Sequence, residues 1–149
     1  MNIKNEALLK LQRYCAYQER CHSEVRQKLI DLKVFGDDLE YIITELIKTD
    51  FLNEQRYAEI YAGGKFRIKK WGKQKIKSHL KAKGVSDYCI RKGLEKIEDD
   101  EYIQCLILLI DKYKAERKNN NWSDSELQNK CIKYCLRKGY EYTLIKSKV

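Results

Sequence analysis

Leu29-Ile30-Asp31-Leu32-Lys33-Val34 recurs fifty-one residues later as Leu80-Lys81-Ala82-Lys83-Gly84-Val85. Holding the same offset sets Leu39 on Ile90, Ile43 on Leu94 and Leu46 on Ile97. A second offset, of fifty-five, sets Ile76 on Cys131, Gly84 on Gly139, Val85 on Tyr140 and Ile90 on Ile145. Each copy reads as an amphipathic helix, a turn built on Lys-Gly-hydrophobic (Lys-Val-Phe in the first copy) and a second helix. Self-similarity at this period is the signature of a repeat protein, in which each unit buries its apolar face mainly against its neighbours. With the helix that precedes each pair, the chain divides into three units of three helices. The expected architecture is all-α: an elongated array of three tandem three-helix repeats, about nine helices, at about 5–50, 53–97 and 99–149 within one domain spanning 1–149.

Composition agrees with that reading. The 149 residues contain no proline and seven glycines, where an average chain of this length holds about seven prolines. Sandwiches and barrels rely on both residues for their turns, so the scarcity favours helices with short connections. Hydrophobic residues make up 43% of the chain, enough to exclude a disordered tail. No apolar run approaches the ~20 residues of a membrane-spanning helix. The chain opens without the charged, apolar and small-residue series of a secretion signal. A cytoplasmic protein with no membrane partner is therefore expected, and a monomer, since nothing resembles a long coiled-coil seam.

Individual residues mark the helix boundaries. Ser23, Asn53, Ser86 and the Ser123-x-x-Glu126 pair are candidate N-caps. Gly84 and Gly139 stand where helices end. Asp99-Asp100-Glu101 places negative charge at a helix start. Tyr57, Ala58, Tyr61 and Ala62 share one helical face.

Six cysteines, Cys15, Cys21, Cys89, Cys105, Cys131 and Cys135, would form a disulfide framework only in an oxidising compartment. No C-x-x-C pair occurs. Cys131 and Cys135 share a helix face, as small buried hydrophobes do. Cys15, Cys21 and His22 match no zinc spacing, so no metal and no cofactor are expected. The chain also lacks a glycine-rich phosphate loop, an H-E-x-x-H motif and a nucleophile elbow. It is read as a non-enzyme.

Charge is the informative feature. Lysine and arginine number 31 against 22 acidic residues, a formal charge of +9. Between positions 65 and 83 stand Lys65, Arg67, Lys69, Lys70, Lys73, Lys75, Lys77, Lys81 and Lys83, with no acid among them. So long a run of one sign repels itself and suits a polyanion. Trp71 and His79 interrupt it, and an aromatic among cations suits an unstacked base. Burial of Trp71 as a wedge between helices is the competing reading, and Phe66 reads as core. Lys130, Lys133, Arg137 and Lys138 form a second basic cluster. The candidate binding residues are Lys65, Arg67, Lys69, Lys70, Trp71, Lys73, Lys75, Lys77, Lys81, Lys83, Lys133, Arg137 and Lys138.

Phe51-Leu52-Asn53-Glu54-Gln55-Arg56-Tyr57-Ala58 resembles a motif of the RecX regulatory proteins: Phe, Leu or Ile, Asp or Asn, Asp or Glu, any residue, Arg, Phe or Tyr, Ala. Lys65-Phe66-Arg67, Trp71-Gly72, Ile76, Leu80 and Lys83-Gly84-Val85 are similar to the following segment of Bacteroidetes-type members. Glu24-Val25, Lys28-Leu29 and Arg137-Lys138-Gly139-Tyr140 extend the likeness over nearly the whole chain. Lys33 departs from it, since the family usually has glycine there. The resemblance implies three tandem three-helix repeats. It also implies a modulator, most often an inhibitor, of the RecA recombinase. Such a protein binds the RecA–single-stranded-DNA filament and limits strand exchange, ATP hydrolysis and the co-protease activity behind the SOS response, without nucleotide or metal. Weak, salt-dependent binding to single-stranded DNA goes with it. Two other readings stand beside this one: a free-standing helical DNA-binding module, and a helical scaffold whose basic run docks an acidic protein.

Overall fold

The computed structural model describes residues 2–149. Among them the chain forms nine helices and no strand: α1 (Ile3–Tyr17), α2 (His22–Asp31), α3 (Gly36–Lys48), α4 (Glu54–Lys69), α5 (Lys73–Ala82), α6 (Asp87–Glu95), α7 (Asp99–Glu116), α8 (Asp124–Lys138) and α9 (Tyr142–Lys148). The all-α expectation and the helix count both hold. No helix among the described residues is long and apolar enough to cross a membrane. The chain divides into two compact units, Met1–Tyr61 with Leu80–Gly93, and Ala62–His79 with Leu94–Val149.

In the first unit the stripes of α1, α2 and α3 close on one another. Leu11, Val25, Leu29, Ile42 and Leu46 are fully buried there, with Leu52 beneath them. Gly93 in α6 packs on α4, where a Cβ would stand 2.7 Å from the Ala58 carbonyl oxygen. Only glycine permits that approach of two helices.

The motif Phe51–Ala58 builds the entry to α4. Asn53 caps the helix, its Oδ1 accepting the Arg56 backbone N–H at 2.9 Å. Tyr57 and Ala58 are buried. Arg56 turns back over the preceding turn. Its Nε donates to both Glu19 carboxylate oxygens at 2.9 and 2.8 Å, Nη1 to Asp50 Oδ2 at 2.9 Å and Nη2 to the Asp50 carbonyl at 2.9 Å. These are charge-assisted bonds in the fork geometry peculiar to arginine. They raise the guanidinium's affinity for its proton, the Glu19 hydrogen bond contributing most.

Three helix ends at corresponding repeat positions share one turn, which also closes α3, where Phe51 N–H donates to the Leu46 carbonyl at 2.9 Å and Asp50 N–H, at φ 63°, to that of Ile47 at 3.1 Å. After α2, Val34 N–H donates to the Leu29 carbonyl and Lys33 N–H to that of Ile30, both at 2.9 Å. After α5, Val85 donates to Leu80 at 3.1 Å and Gly84 to Lys81 at 2.9 Å. After α8, Tyr140 donates to Cys135 at 3.1 Å and Gly139 to Leu136 at 3.0 Å. This paired bonding defines the Schellman end, which requires a left-handed residue at the penultimate position. Lys33, Gly84 and Gly139 supply it with φ of 64°, 80° and 103°. The lysine therefore keeps the turn its two glycine counterparts make.

One cap differs from expectation. Ser23 does not cap α2. The helix begins two residues earlier than such a cap would set it, at His22, with Cys21 at the cap and its N–H bonded to Glu24 Oε1 at 3.0 Å. The Ser23 hydroxyl instead donates to the Lys83 carbonyl at 2.8 Å, satisfying an acceptor that the end of α5 leaves open.

In the second unit α7, α8 and α9 pack on the end of α4 and the start of α5. Phe66, Ile76, Leu106, Ile110, Cys131, Cys135, Tyr140 and Ile145 are all buried. Phe66 is thus core, as its spacing implied.

Candidate nucleic-acid interface

The turn Trp71-Gly72 joins α4 to α5, and the end of α8 closes over it. Gly72 N–H donates to the Lys138 carbonyl at 2.7 Å, and Gln74 N–H to the Gly139 carbonyl at 2.9 Å. The first turn of α5 is thereby capped by carbonyls that α8 leaves unpaired. In return, Lys138 Nζ donates to the Lys69 carbonyl at 2.7 Å and the Tyr140 hydroxyl to that of Lys70 at 3.1 Å. An ammonium at the end of α4 also complements its dipole. Two helix ends and one helix start thus satisfy each other.

Beneath this corner lies an aromatic stack. Tyr102 stacks on Tyr140 at 5.0 Å between ring centres and meets Phe66 at 5.8 Å. The Tyr102 hydroxyl accepts the Lys73 backbone N–H at 2.9 Å and donates to the Glu141 carboxylate. Burial, and for Tyr102 the Glu141 bond, hold both phenols far above their usual ionisation range.

The cations sit around this support. Trp71 is half-buried, with Lys65 Nζ 4.9 Å and Lys75 Nζ 4.6 Å from its ring centre and the His79 ring at 4.5 Å. Cation–π attraction holds the two ammonium groups beside the indole. Lys69, Lys70 and Lys77 are exposed, and Lys70 Nζ returns to the Arg67 carbonyl at 2.8 Å. Lys138 lies close enough to Lys75 and Lys69 to feel them. Desolvation chiefly, then those two charges, lowers its proton affinity. Lys133 and Arg137 stand exposed on α8. Lys81 and Lys83 belong to the first unit. There Lys81 faces Asp87 at 3.8 Å and Lys83 Nζ lies 6.0 Å from the Tyr61 ring centre.

Besides Asp87 at Lys81, two acids the linear run did not contain fold back onto it. Glu101 stands 3.8 Å from Arg67, and Asp99 lies 3.7 Å from Lys73. Both belong to the acidic start of α7, which had read as helix capping alone. These exposed pairs are worth less than about 1 kcal/mol, so a polyphosphate can displace them. Lys138 plays a second part that charge counting missed, as the cap of α4. Among the described residues no group of three or more His, Cys, Asp or Glu side chains is arranged to hold a metal ion. What the corner offers is two ammonium groups beside one indole, with exposed Lys69, Lys70 and Lys77 on the flanking helix segments, an arrangement for a polyanion.

Residues 53–94 match the family model described as "RecX, second three-helix domain". The chain is 33% identical over 133 residues to a regulatory protein RecX of Clostridium acetobutylicum, covering 85% of this chain and 59% of that one. It is 30% identical over 137 residues to a regulatory protein RecX of Lactococcus lactis, covering 88% and 49%. It thus spans about half to three-fifths of the length of these relatives. Its fold superposes on the crystal structure of RecX from Lactobacillus salivarius with a TM-score of 0.89 and 28% identity, over 97% of this chain and 93% of that one.

Proposed function

The chain belongs to the RecX family of regulatory proteins, and from that premise we propose that it binds the RecA–single-stranded-DNA filament and restrains it. The observation that carries this reading is Trp71 in the second unit, flanked by Lys65 and Lys75 within an acid-free basic segment. Lys65, Lys69, Lys70, Lys75 and Lys77 come from the acid-free run, on a corner that α8 closes with four hydrogen bonds. Phosphates neutralised there release counterions, so binding weakens steeply as salt rises. The indole offers a base a stacking surface once an ammonium swings aside. Lys133, Arg137 and Lys138 extend the positive charge along α8.

In this account the protein is a cytoplasmic, monomeric, non-enzymatic regulator that uses no cofactor. It slows filament cycling, and with it recombination, ATP hydrolysis and the co-protease activity that sets off the SOS response. Three repeats, at about 5–50, 53–97 and 99–149, give it its frame, a division supported by the common turn at Lys33, Gly84 and Gly139.

The test is single-stranded-DNA-dependent ATP hydrolysis by the RecA of the same organism, with this protein titrated in at low and moderate salt. A fall in rate at sub-stoichiometric protein, relieved by salt, is expected. An unchanged rate with tight binding to bare DNA would overturn the reading in favour of a free-standing DNA-binding module.

A further inference from the structure

A second feature of the same unit borders the corner and shares Arg67 and Lys70 with it. Between the end of α4 and the outer face of α7 runs a largely apolar groove, with Phe66, Leu108 and Leu109 among its walls. Leu108 is 66% exposed, an unusual place to leave a leucine beside an apolar recess. Three cations line the groove, Arg67 and Lys70 from the α4 side and Lys112 from α7; Arg67 faces Glu101 at 3.8 Å, Lys112 faces Glu116 at 4.0 Å and Lys70 bonds the Arg67 carbonyl, exposed contacts that a partner's carboxylates can displace. Its polar remainder is Glu101 and Gln104.

We propose that this groove docks an acidic peptide segment of a protein partner, which lays one aliphatic or aromatic side chain on Leu108 and Leu109 while its carboxylates meet Arg67, Lys70 and Lys112. Charge complementarity selects the sign of the partner. The floor selects its class. Leu108 and Leu109 are aliphatic and the Phe66 ring is buried in the core, so the groove presents no open flat ring for a base to stack on, unlike Trp71 at the corner. Glu101 offers acceptors and Gln104 both a donor and an acceptor. A peptide backbone carries N–H groups for the former, whereas a phosphodiester brings only further acceptors. The groove thus has the composition of a small peptide site, an apolar centre within a polar rim.

The inference extends the filament reading by giving the protein a contact to a polypeptide distinct from its contact to DNA. It rests on Arg67 and Lys70 serving the groove, and it fails separately from the rest of that reading.

The probe is a short fluorescein-labelled peptide of Asp and Glu with a Phe-Leu pair at its centre, followed by anisotropy against the full chain. Binding is expected, and replacing Phe-Leu with Ser-Gly should weaken it by on the order of tenfold, the worth of one well-buried side chain. Leu108→Ala should cost a similar factor while leaving oligonucleotide binding in place, and Lys112→Gln should cost less. Cys105 lines the groove, which supplies a readout that needs no variant: bound peptide should slow alkylation of Cys105 and not of Cys89. Equal binding of the Ser-Gly peptide would overturn the proposal by reducing it to charge alone. Protection of Cys105 by single-stranded oligonucleotide and not by peptide would overturn it in favour of a nucleic-acid groove.

Discussion

The backbone of Gly72 lies directly against that of Gly139, so that a Cβ on either residue would have no room. On Gly72 it would run into the Gly139 carbonyl and the Tyr140 amide; on Gly139 it would stand 2.7 Å from the Lys75 backbone nitrogen. Backbone cannot yield as a flexible side chain would. Gly72→Ala is therefore expected to destabilise the protein by about 2 kcal/mol or more, and Gly139→Ala by at least as much, since its φ of 103° adds strain. Urea unfolding followed by circular dichroism measures both. A loss under about 0.5 kcal/mol, the range of ordinary surface changes, would contradict the interlock.

Lys33 and Gly84 make the same turn under different constraints. Lys33 holds φ at 64°, and Gly84 holds 80° with nothing within 4 Å of a built Cβ. The difference between them is conformational, uncomplicated by packing. Lys33→Gly should stabilise the chain and Gly84→Ala destabilise it, each by about 1 kcal/mol. Thermal melts of the two variants should shift in opposite directions. A shift of the same sign in both would sink the argument.

Arg56 is a structural clamp. Arg56→Lys keeps the charge and loses the fork that spans Glu19 and Asp50, and should cost about 1–2 kcal/mol in a site roughly a third exposed. Binding of single-stranded DNA by the variant, measured below its melting temperature, should match the wild type. A variant of unchanged stability and weakened DNA binding would instead make Arg56 a contact residue.

The thiols set an alkaline limit. Burial pushes Cys15 up to about 11 and Cys135 to about 12, whereas in the unfolded chain a thiol ionises near 8.5. Between about pH 9 and 11 the unfolded state therefore sheds protons that the folded state retains. Stability should fall as pH rises, by ~1.4 kcal/mol per pH unit for each thiol. Urea midpoints between pH 7.5 and about 10 in reducing buffer check this. At about pH 8 the half-buried Cys89 and Cys105 should alkylate well before Cys15 and Cys135.

The repeat made the helices legible in advance, because a buried stripe and a helix end leave local marks. Leu29, Leu80 and Cys135 recur at corresponding places, and Gly84 and Gly139 announce their turns. Lys33 was harder to read, since a lysine carries no sign that its φ is positive; only its alignment with the glycines placed it. The cap at Cys21 escaped because serine is the better capping residue and Ser23 stood two positions away, its hydroxyl committed to Lys83, sixty residues downstream. The basic run was plain in sequence. The pairing of Lys73 with Asp99 and of Arg67 with Glu101, the bond from Lys138 to Lys69 and the closeness of Gly72 to Gly139 were not, since each joins residues twenty-six or more positions apart. Chain order carries charge and periodicity well and carries such pairings poorly.

The central claim is that the cations of the basic segment flanking Trp71 hold this protein on a RecA filament. Co-sedimentation with filaments assembled on single-stranded DNA with a non-hydrolysable ATP analogue tests it most directly, comparing wild type with the Lys69→Glu/Lys77→Glu double variant. Both side chains are exposed, so the variant should fold. The account predicts that the wild type pellets with filaments more strongly than with bare DNA, and that the double variant stays largely in the supernatant. Equal pelleting of the two proteins would contradict it.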